Sequence, residues 1–322
     1  MFFNNTDKRY NRFSDFLREK FGVKVYKITL DAGFTCPNRD GTISSDGCVF
    51  CDSGGSFSQL YSNKISISEQ LNRGIELSKQ KYKAQKFLAY FQAYTNTYKP
   101  VDELKQIYSE ALSHEDVVGI NIGTRPDCVE DEKLDLISVF AKDYYTWLEF
   151  GLQSIHERSL KFINRGHDFK TFVDATERAK ARNINVCAHV ILGLPNETKQ
   201  NMMETAKALA DLNIDGVKIH LLCVLQNTKL SKLYFQGKIP IMEEDEYVET
   251  VCDFLELLPP STTIHRVAGN GLKPNMLAPG WLSKKFIVMN KIDNLLEKRN
   301  SYQSSLFLKK SKQKNFRNYQ NL

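Results

Sequence analysis

Three cysteines, Cys36, Cys48 and Cys51, fall in one short stretch, CPNRDGTISSDGCVFCDSGG, with the spacing C-x11-C-x2-C. The residues between them are mostly small, polar and turn-forming, among them Pro37, Asn38, Gly41, Ser44, Ser45, Asp46 and Gly47. A loop of that kind cannot pack a core, but it can wrap a metal centre. The thiolate is the ligand form of cysteine, and it suits zinc or the iron of an iron–sulfur cluster. Three thiolates leave one coordination position without a cysteine. On a cluster, that open iron could hold a small molecule. Plainer readings compete. A structural zinc site usually closes with four protein ligands, and no nearby histidine offers the fourth. A redox pair of Cys48 and Cys51 would leave Cys36 idle and lacks a thioredoxin-like context. Cysteine can also be a buried small side chain, but a Gly/Ser/Asp loop is a poor place for one. Cys128, Cys187, Cys223 and Cys252 show no ligand spacing and read as buried thiols.

Such a loop needs a frame, and the flanking periodicity supplies one. Residues 9–20 read as a short amphipathic helix with Phe13, Phe16 and Leu17 on one side and Gly22 as its stop. Residues 23–30, VKVYKITL, alternate as a strand that feeds directly into the cysteine loop. Further strands are predicted near 86–92, 117–122, 146–152, 184–192 and 216–225. Helices are predicted over 66–81, 101–113, 134–144 and 171–182, and through 204–212. Ser66 and Glu69 make a capping-box pattern at the first of these. Strands alternating with helices predict a parallel α/β fold. In a parallel β/α barrel the functional loops lie at the C-terminal strand ends. Beyond the repeats come a helix over 243–258 stopped by Pro259 and Pro260, a strand over 262–267 and a helix over 284–298. The turn-rich GNGLKPNMLAPGW could cover a barrel mouth, and SGGSFS at 53–58 is either a simple turn or an anion-facing row of N–H groups. From Lys298 to Leu322 stand seven Lys or Arg and no acid, either a solvated tail or a set of phosphate contacts.

The cysteine loop resembles the cluster loop of radical S-adenosylmethionine (SAM) enzymes, and Phe50 matches the aromatic residue usual before the last cysteine there. The longer first spacing is similar to the branch holding the Elongator catalytic subunit and the oxygen-independent coproporphyrinogen oxidases. The likeness is strongest to the YhcC-like family, which includes the MnmL-type enzymes, and runs from about residue 9 to about residue 281. It implies an α/β fold, a partial (β/α)6 radical SAM barrel over 25–235. An N-terminal helical segment (1–24) precedes it; a C-terminal extension covering the barrel (236–298) and a flexible basic tail (299–322) follow. It implies that Cys36, Cys48 and Cys51 hold a [4Fe–4S] cluster whose fourth iron chelates SAM.

The resemblance also implies cofactor contacts. Gln92, Thr95 and Asn96, in QAYTNTY, occupy the place of a Gly-Gly-Glu motif that binds the methionyl amino group, and the chain departs from that motif. Gln153, in EFGLQS, falls to the SAM ribose. Arg165, in FINRGH, falls to the methionyl carboxylate, which a guanidinium fork binds bidentately; its alternative is to satisfy helix-end carbonyls. The backbone near Ile191, before the GLPNET turn, would flank the adenine. Glu197 of that turn would sit in the first turn of the next helix. Arg125 and Asp127, in a TRPD similar to Elongator's, read as a polar rim or as a local ion pair in a surface turn. His220 reads as a satisfied core residue or as substrate-facing. His265 and Arg266 have no assigned surroundings, and His167 and Asp168 suit a capping role as well as a catalytic one.

Bulk properties bound the rest. A chain of 322 residues buries a large core, and no apolar run approaches the length of a membrane span. MFFNNTDKRYNRF lacks the basic-then-apolar order of a signal peptide, so a cytoplasmic protein with reduced cysteines is expected. The net charge of +6 suits a polyanionic partner. MnmL-type enzymes and the Elongator subunit act on the wobble uridine of tRNA. The resemblance therefore implies tRNA as substrate, with a 5′-deoxyadenosyl radical converting a carboxymethylaminomethyl side chain toward aminomethyl. It also implies a one-electron donor such as flavodoxin or ferredoxin. The rivals are a radical SAM enzyme acting on a metabolite or protein side chain, and a non-catalytic zinc-binding protein.

Overall fold

Each strand of the computed structural model is returned by a helix to its neighbour's side. The structure describes residue 3 and residues 7–52, 54, 65–269 and 275–308. The strands are β1 (Val25–Leu30), β2 (Lys86–Phe91), β3 (Val117–Thr124), β4 (Tyr145–Gln153), β5 (Asn185–Leu192), β6 (Gly216–Leu221), β7 (Val224–Leu225), β8 (Thr263–Arg266) and β9 (Met276–Ala278). Seven of them form one sheet in the order β1-β2-β3-β4-β5-β6-β8, every pair parallel. This is the partial barrel that the repeats predict, with a seventh strand supplied by the C-terminal segment. The strand expected over 216–225 is two. β6 stops at Leu221, and β7 turns away to pair antiparallel with β9. GVKIHLLCVL carries no Gly, Pro or Asn at the break, so nothing in its pattern marks it.

The connecting helices are α1 (Phe13–Phe21), α2 (Ile67–Tyr82), α3 (Val101–Ala111), α4 (Asp131–Asp143), α5 (Glu157–Phe162), α6 (Phe169–Ala181), α7 (Lys199–Asp211), α8 (Lys229–Phe235), α9 (Glu244–Leu257) and α10 (Lys285–Lys298). α1 starts four residues later than expected. Asn11 accepts a bond from Ile264 N at 2.7 Å and Arg12 bridges to Ile264, so these residues lie along β8 instead. Ser66 caps α2 by accepting from Glu69 N at 3.1 Å, but the Glu69 carboxylate goes to Arg73, and only half of the capping box forms. The full box belongs to α7, between Thr198 and Asn201. Glu197 therefore precedes the helix, and it accepts a hydrogen bond from Ser154 Oγ at 2.5 Å.

Alternation along the strands sorts the side chains. Ile28, Ala89, Ile120, Phe150, Ala188 and Ile219 point outward into the main core under the helices. Val25, Leu88, Trp147 and Cys187 point inward and form a separate apolar plug with Phe13 and Leu17 of α1. The plug closes the N-terminal end of the barrel and leaves the other end for function. Of the segment predicted as a flexible tail, residues 299–308 are described, and they are packed against the fold. Gln303 is fully buried, donates to Pro259 O at 2.6 Å and Thr262 O at 2.9 Å, and accepts from Asn11 N at 2.9 Å. SGGSFS, apart from Gly54, residues 270–274 of the expected mouth-covering loop, and residues 309–322 lie outside the described residues.

Candidate active site at the C-terminal strand ends

The cysteine loop leaves β1 and is folded by its own backbone. Arg39 N and Asp40 N donate to Cys36 O at 2.8 and 3.1 Å, and Cys51 N to Cys48 O at 3.0 Å. Gly41 and Gly47 take the left-handed turns, with φ of 96° and 71°, that side chains resist. The loop is then clamped to the segment after α5. Asn38 Nδ2 donates to Asn164 O at 2.6 Å, and Asn164 Nδ2 returns to Gly47 O at 2.8 Å. Val49 N donates to Ile163 O at 3.0 Å. A loop with no core of its own is thus held in one shape.

Cys36, Cys48 and Cys51 line one cavity, together with Phe50, Gln92 and Thr95. Gln153 and Arg165 line the same cavity. Gln153 sits at a bulge in β4 with φ of 74°, a conformation that costs a non-glycine residue about 1 kcal/mol or more and re-aims its side chain. Arg165 is buried. Its Nε and Nη2 donate to Gly151 O at 2.9 and 2.7 Å, which leaves Nη1 3.7 Å from Cys48 Sγ. Asn38 Nδ2 lies 3.5 Å from the same sulfur. Burial pushes the Cys51 thiol up to about 11, against the opposing pull of Arg39. A bound metal is what would deprotonate it.

Arg125 and Asp127 settle as both of their readings at once. They pair bidentately at 2.9 and 2.7 Å, yet Arg125 is only 2% exposed and also donates to Arg165 O at 2.8 Å. Burial pushes the Asp127 carboxyl up, but Arg125 outweighs it and holds the group below its usual range. Two expected contacts stand elsewhere. Asn96 does not line the cavity; its Nδ2 donates to Gly123 O at 2.7 Å and ties two strand ends together. Ile191 is packed in an apolar cluster with Val49 and Phe50, outside the cavity wall. His167 reaches Gly151 O with Nε2 at 3.2 Å, and Asp168 caps α6 through Thr171 N at 2.8 Å.

Beneath the cavity lies a polar belt that the strand patterns do not announce. Glu149 and His189 reach the cavity wall. Glu149 is buried and accepts from Lys27 at 2.6 Å, Asn121 at 2.8 Å, His189 at 2.8 Å and Lys218 at 2.9 Å. Burial alone would raise its carboxyl; the charges of Lys218 and Lys27 bring it well below the ordinary value. Burial drives His189 down to about 4, so it is neutral at pH 7. His220 is half-buried and is not satisfied, since its buried Nε2 has no partner. The available signal is a charged or imidazole residue mid-strand in largely apolar β1, β4 and β5, and two of them, Lys218 and His220, in β6.

The donors fit an anionic cluster better than a lone ion. Among the described residues no three His, Cys, Asp or Glu converge as one metal ion would require. The three thiols nonetheless share one cavity with cationic Arg165 and Arg39. Comparison with known proteins agrees. Residues 36–209 match the model of the Radical SAM superfamily, and residues 214–298 match that of its C-terminal domain. The protein YtqA of Bacillus subtilis is 44% identical over 305 residues, covering 95% of each chain. YhcC of Escherichia coli is 37% identical over 300 residues, covering 93% of this chain and 96% of its own. The structure of archaeal Elp3 from Methanocaldococcus infernus shares the fold, with a TM-score of 0.65 at 17% identity, over 87% of this chain and 64% of that one.

Proposed function

The chain belongs to the Radical SAM superfamily, whose cofactors are a [4Fe–4S] cluster and SAM, and from that premise we propose that it is a tRNA-modifying enzyme acting at the wobble uridine. The observation that carries the enzyme reading is the convergence of Cys36, Cys48 and Cys51 on one cavity walled by Gln153 and Arg165. The cluster, when bound, supplies the electron that cleaves SAM and so the radical that takes hydrogen from a substrate carbon. The chain's own residues do the positioning. Cys36, Cys48 and Cys51 hold the metal centre. Asn38 and Arg165 stand at the Cys48 sulfur, where they stabilise negative charge. Arg165 receives the methionyl carboxylate, Gln153 the ribose, and Gln92 and Thr95 the amino end. Thr95 Oγ1 is buried without a partner, which suits a group awaiting one. Phe50 excludes water beside Cys51.

The tRNA reading is supported by the resemblance of TRPD and EFGLQS to the Elongator branch and by the net charge of +6. In this reading the carboxymethylaminomethyl side chain of the uridine becomes aminomethyl. A small electron carrier such as flavodoxin or ferredoxin serves as partner, and the reaction is cytoplasmic. Among the described residues no helix is long and apolar enough to cross a membrane. Two measurements test the proposal. Anaerobic reconstitution should give a four-iron chromophore that is lost in Cys36→Ala, Cys48→Ala and Cys51→Ala alike; a retained four-iron spectrum removes that ligand set. Nucleoside mass spectrometry of tRNA from a strain lacking the gene should show carboxymethylaminomethyl-uridine accumulating. An unchanged profile, in a strain with no redundant enzyme, removes the tRNA substrate.

A further inference from the structure

The belt beneath the cavity holds more positive charge than its own residues neutralise. Lys27 on β1 and Lys218 on β6 both point inward onto the single carboxylate of Glu149. Arg266 joins them through an irregularity in β8. Val217 pairs with Ile264, but the next residue, Lys218, pairs with Arg266, so two residues of β8 oppose one step of β6. A bulge of this kind turns both of its residues. His265 lies against Trp147 and 3.6 Å from Glu149, and Arg266 stands across from Lys218. The Arg266 charge acts on Tyr90, His189, Lys218 and His220 of the belt, as well as on Tyr247 and Lys285 outside it. Two cations therefore share one carboxylate, with Arg266 beside Lys218 in the neighbouring strand.

That carboxylate has no capacity left. Oε1 already takes Lys27 and Asn121, and Oε2 takes His189 and Lys218. The Arg266 side chain makes no hydrogen bond or ion pair among the described residues, though its backbone is paired in the sheet. Two further atoms at the same level, Asn121 Oδ1 and His220 Nε2, are buried without partners. Buried polar groups are rarely left so, and Arg266 is half-buried beside them. Burial lowers the Lys218 ammonium to about 8; Glu149 opposes this, while Arg266 and Lys27 add to it. Glu149, which holds Lys218 and Asn121, and His189 line the cavity of the three cysteines.

We infer that the belt receives the anionic end of the substrate, a carboxylate held by Arg266, Lys218 and His220, so that the carbon beside it is presented to the cavity of the three cysteines. A guanidinium fork and an ammonium are the donors that suit a carboxylate. A second group of the kind Glu149 already provides would neutralise the cation that Glu149 leaves over. The inference rests on the reading of the cavity as the SAM site and deepens it by naming a carboxylate substrate. The carboxymethylaminomethyl side chain carries such a group, and its aminomethyl product does not.

The test is a thermal-shift titration of the full-length, iron-loaded protein with succinate, its neutral analogue succinamide and inorganic phosphate. Succinate should raise the melting temperature and succinamide should not. Arg266→Gln should weaken the succinate response by about tenfold or more, with the melting temperature of the free protein nearly unchanged because Arg266 is not part of the Glu149 pairing. Lys218→Met should weaken the response too, but with a lowered melting temperature of the free protein because Lys218 pairs with Glu149, and Lys218→Arg should restore the response. No response to succinate, or an equal one in Arg266→Gln, overturns the proposal. A larger response to phosphate overturns its carboxylate assignment. The titration needs no tRNA. Failure of the protein to bind tRNA would therefore remove the tRNA reading and leave this one standing, and iron loading scores the cluster assignment separately.

Discussion

Gly151 is where the two proposed SAM contacts on β4 meet. A Cβ there would lie 2.6 Å from Arg165 Nη2 and 2.7 Å from Gln153 Nε2. Both are the far ends of flexible side chains, so Gly151→Ala should cost only about 1–2 kcal/mol of stability. It should nonetheless push both groups out of place and weaken SAM binding by about tenfold or more, with iron content intact. Equilibrium dialysis with labelled SAM decides; unchanged affinity in the folded variant would mean that neither group binds SAM. Much of this site could be read in the sequence, because Cys36, Cys48, Cys51, Gln153 and Arg165 sit in motifs of fixed spacing. Asn96 was legible in position but not in direction. Residues of a turn point alternately to cavity and core, and spacing alone does not say which. Lys27, Glu149, His189 and Lys218 were not legible as a group. Each is a single residue in a different strand, and only strand register brings them together.

At the scale of elements, α1 shows how a correct helix can hide its role. Its apolar side, Phe13, Phe16 and Leu17, is visible in the sequence, but periodicity cannot tell a helix lying outside a barrel from one closing its end. Phe13 stacks on His265 at 3.8 Å and meets Trp147 edge-on at 5.4 Å. Phe13→Ala should therefore empty the plug and cost about 3–5 kcal/mol, read as a lowered urea midpoint. A loss below about 1 kcal/mol would show that the surrounding rings collapse onto the gap. The C-terminal segment was misjudged for a related reason. Its basic composition reads as solvated, yet Gln303 is buried and holds three backbone groups. Gln303→Ala removes its bonds to Asn11 N, Pro259 O and Thr262 O, of which Pro259 O keeps Thr262 N, and about 2 kcal/mol or more should be lost in the same assay. A neutral result would mean that water replaces the side chain. The seventh strand, β8, depends on this anchor, since Thr262 lies just before it.

For the whole molecule, a charged barrel interior ties stability to pH. Burial is the main cause that holds His189 at about 4 and His265 and His167 at about 3, against 6.5 when unfolded. Between those values the unfolded chain binds protons that the folded one refuses, so stability must fall as pH drops from about 7 toward 4. Glu149 acts in the same direction. Its folded carboxyl lies well below the ordinary value, so its stabilisation is present above the unfolded value and is lost as pH falls through the folded one. Each histidine contributes at most about 1.4 kcal/mol per pH unit in this window. Urea midpoints of the cluster-free chain should therefore decline steeply from pH 7 to pH 5, and the cluster-free form removes the separate effect of protonating thiolates. A flat profile would mean that water reaches these imidazoles and that the belt is not a dry interior. The same dryness is what lets Arg266 and Lys218 act strongly on an incoming anion, so acid sensitivity and substrate recognition rest on one physical feature. A substitution that opens the plug, such as Phe13→Ala, should soften both together.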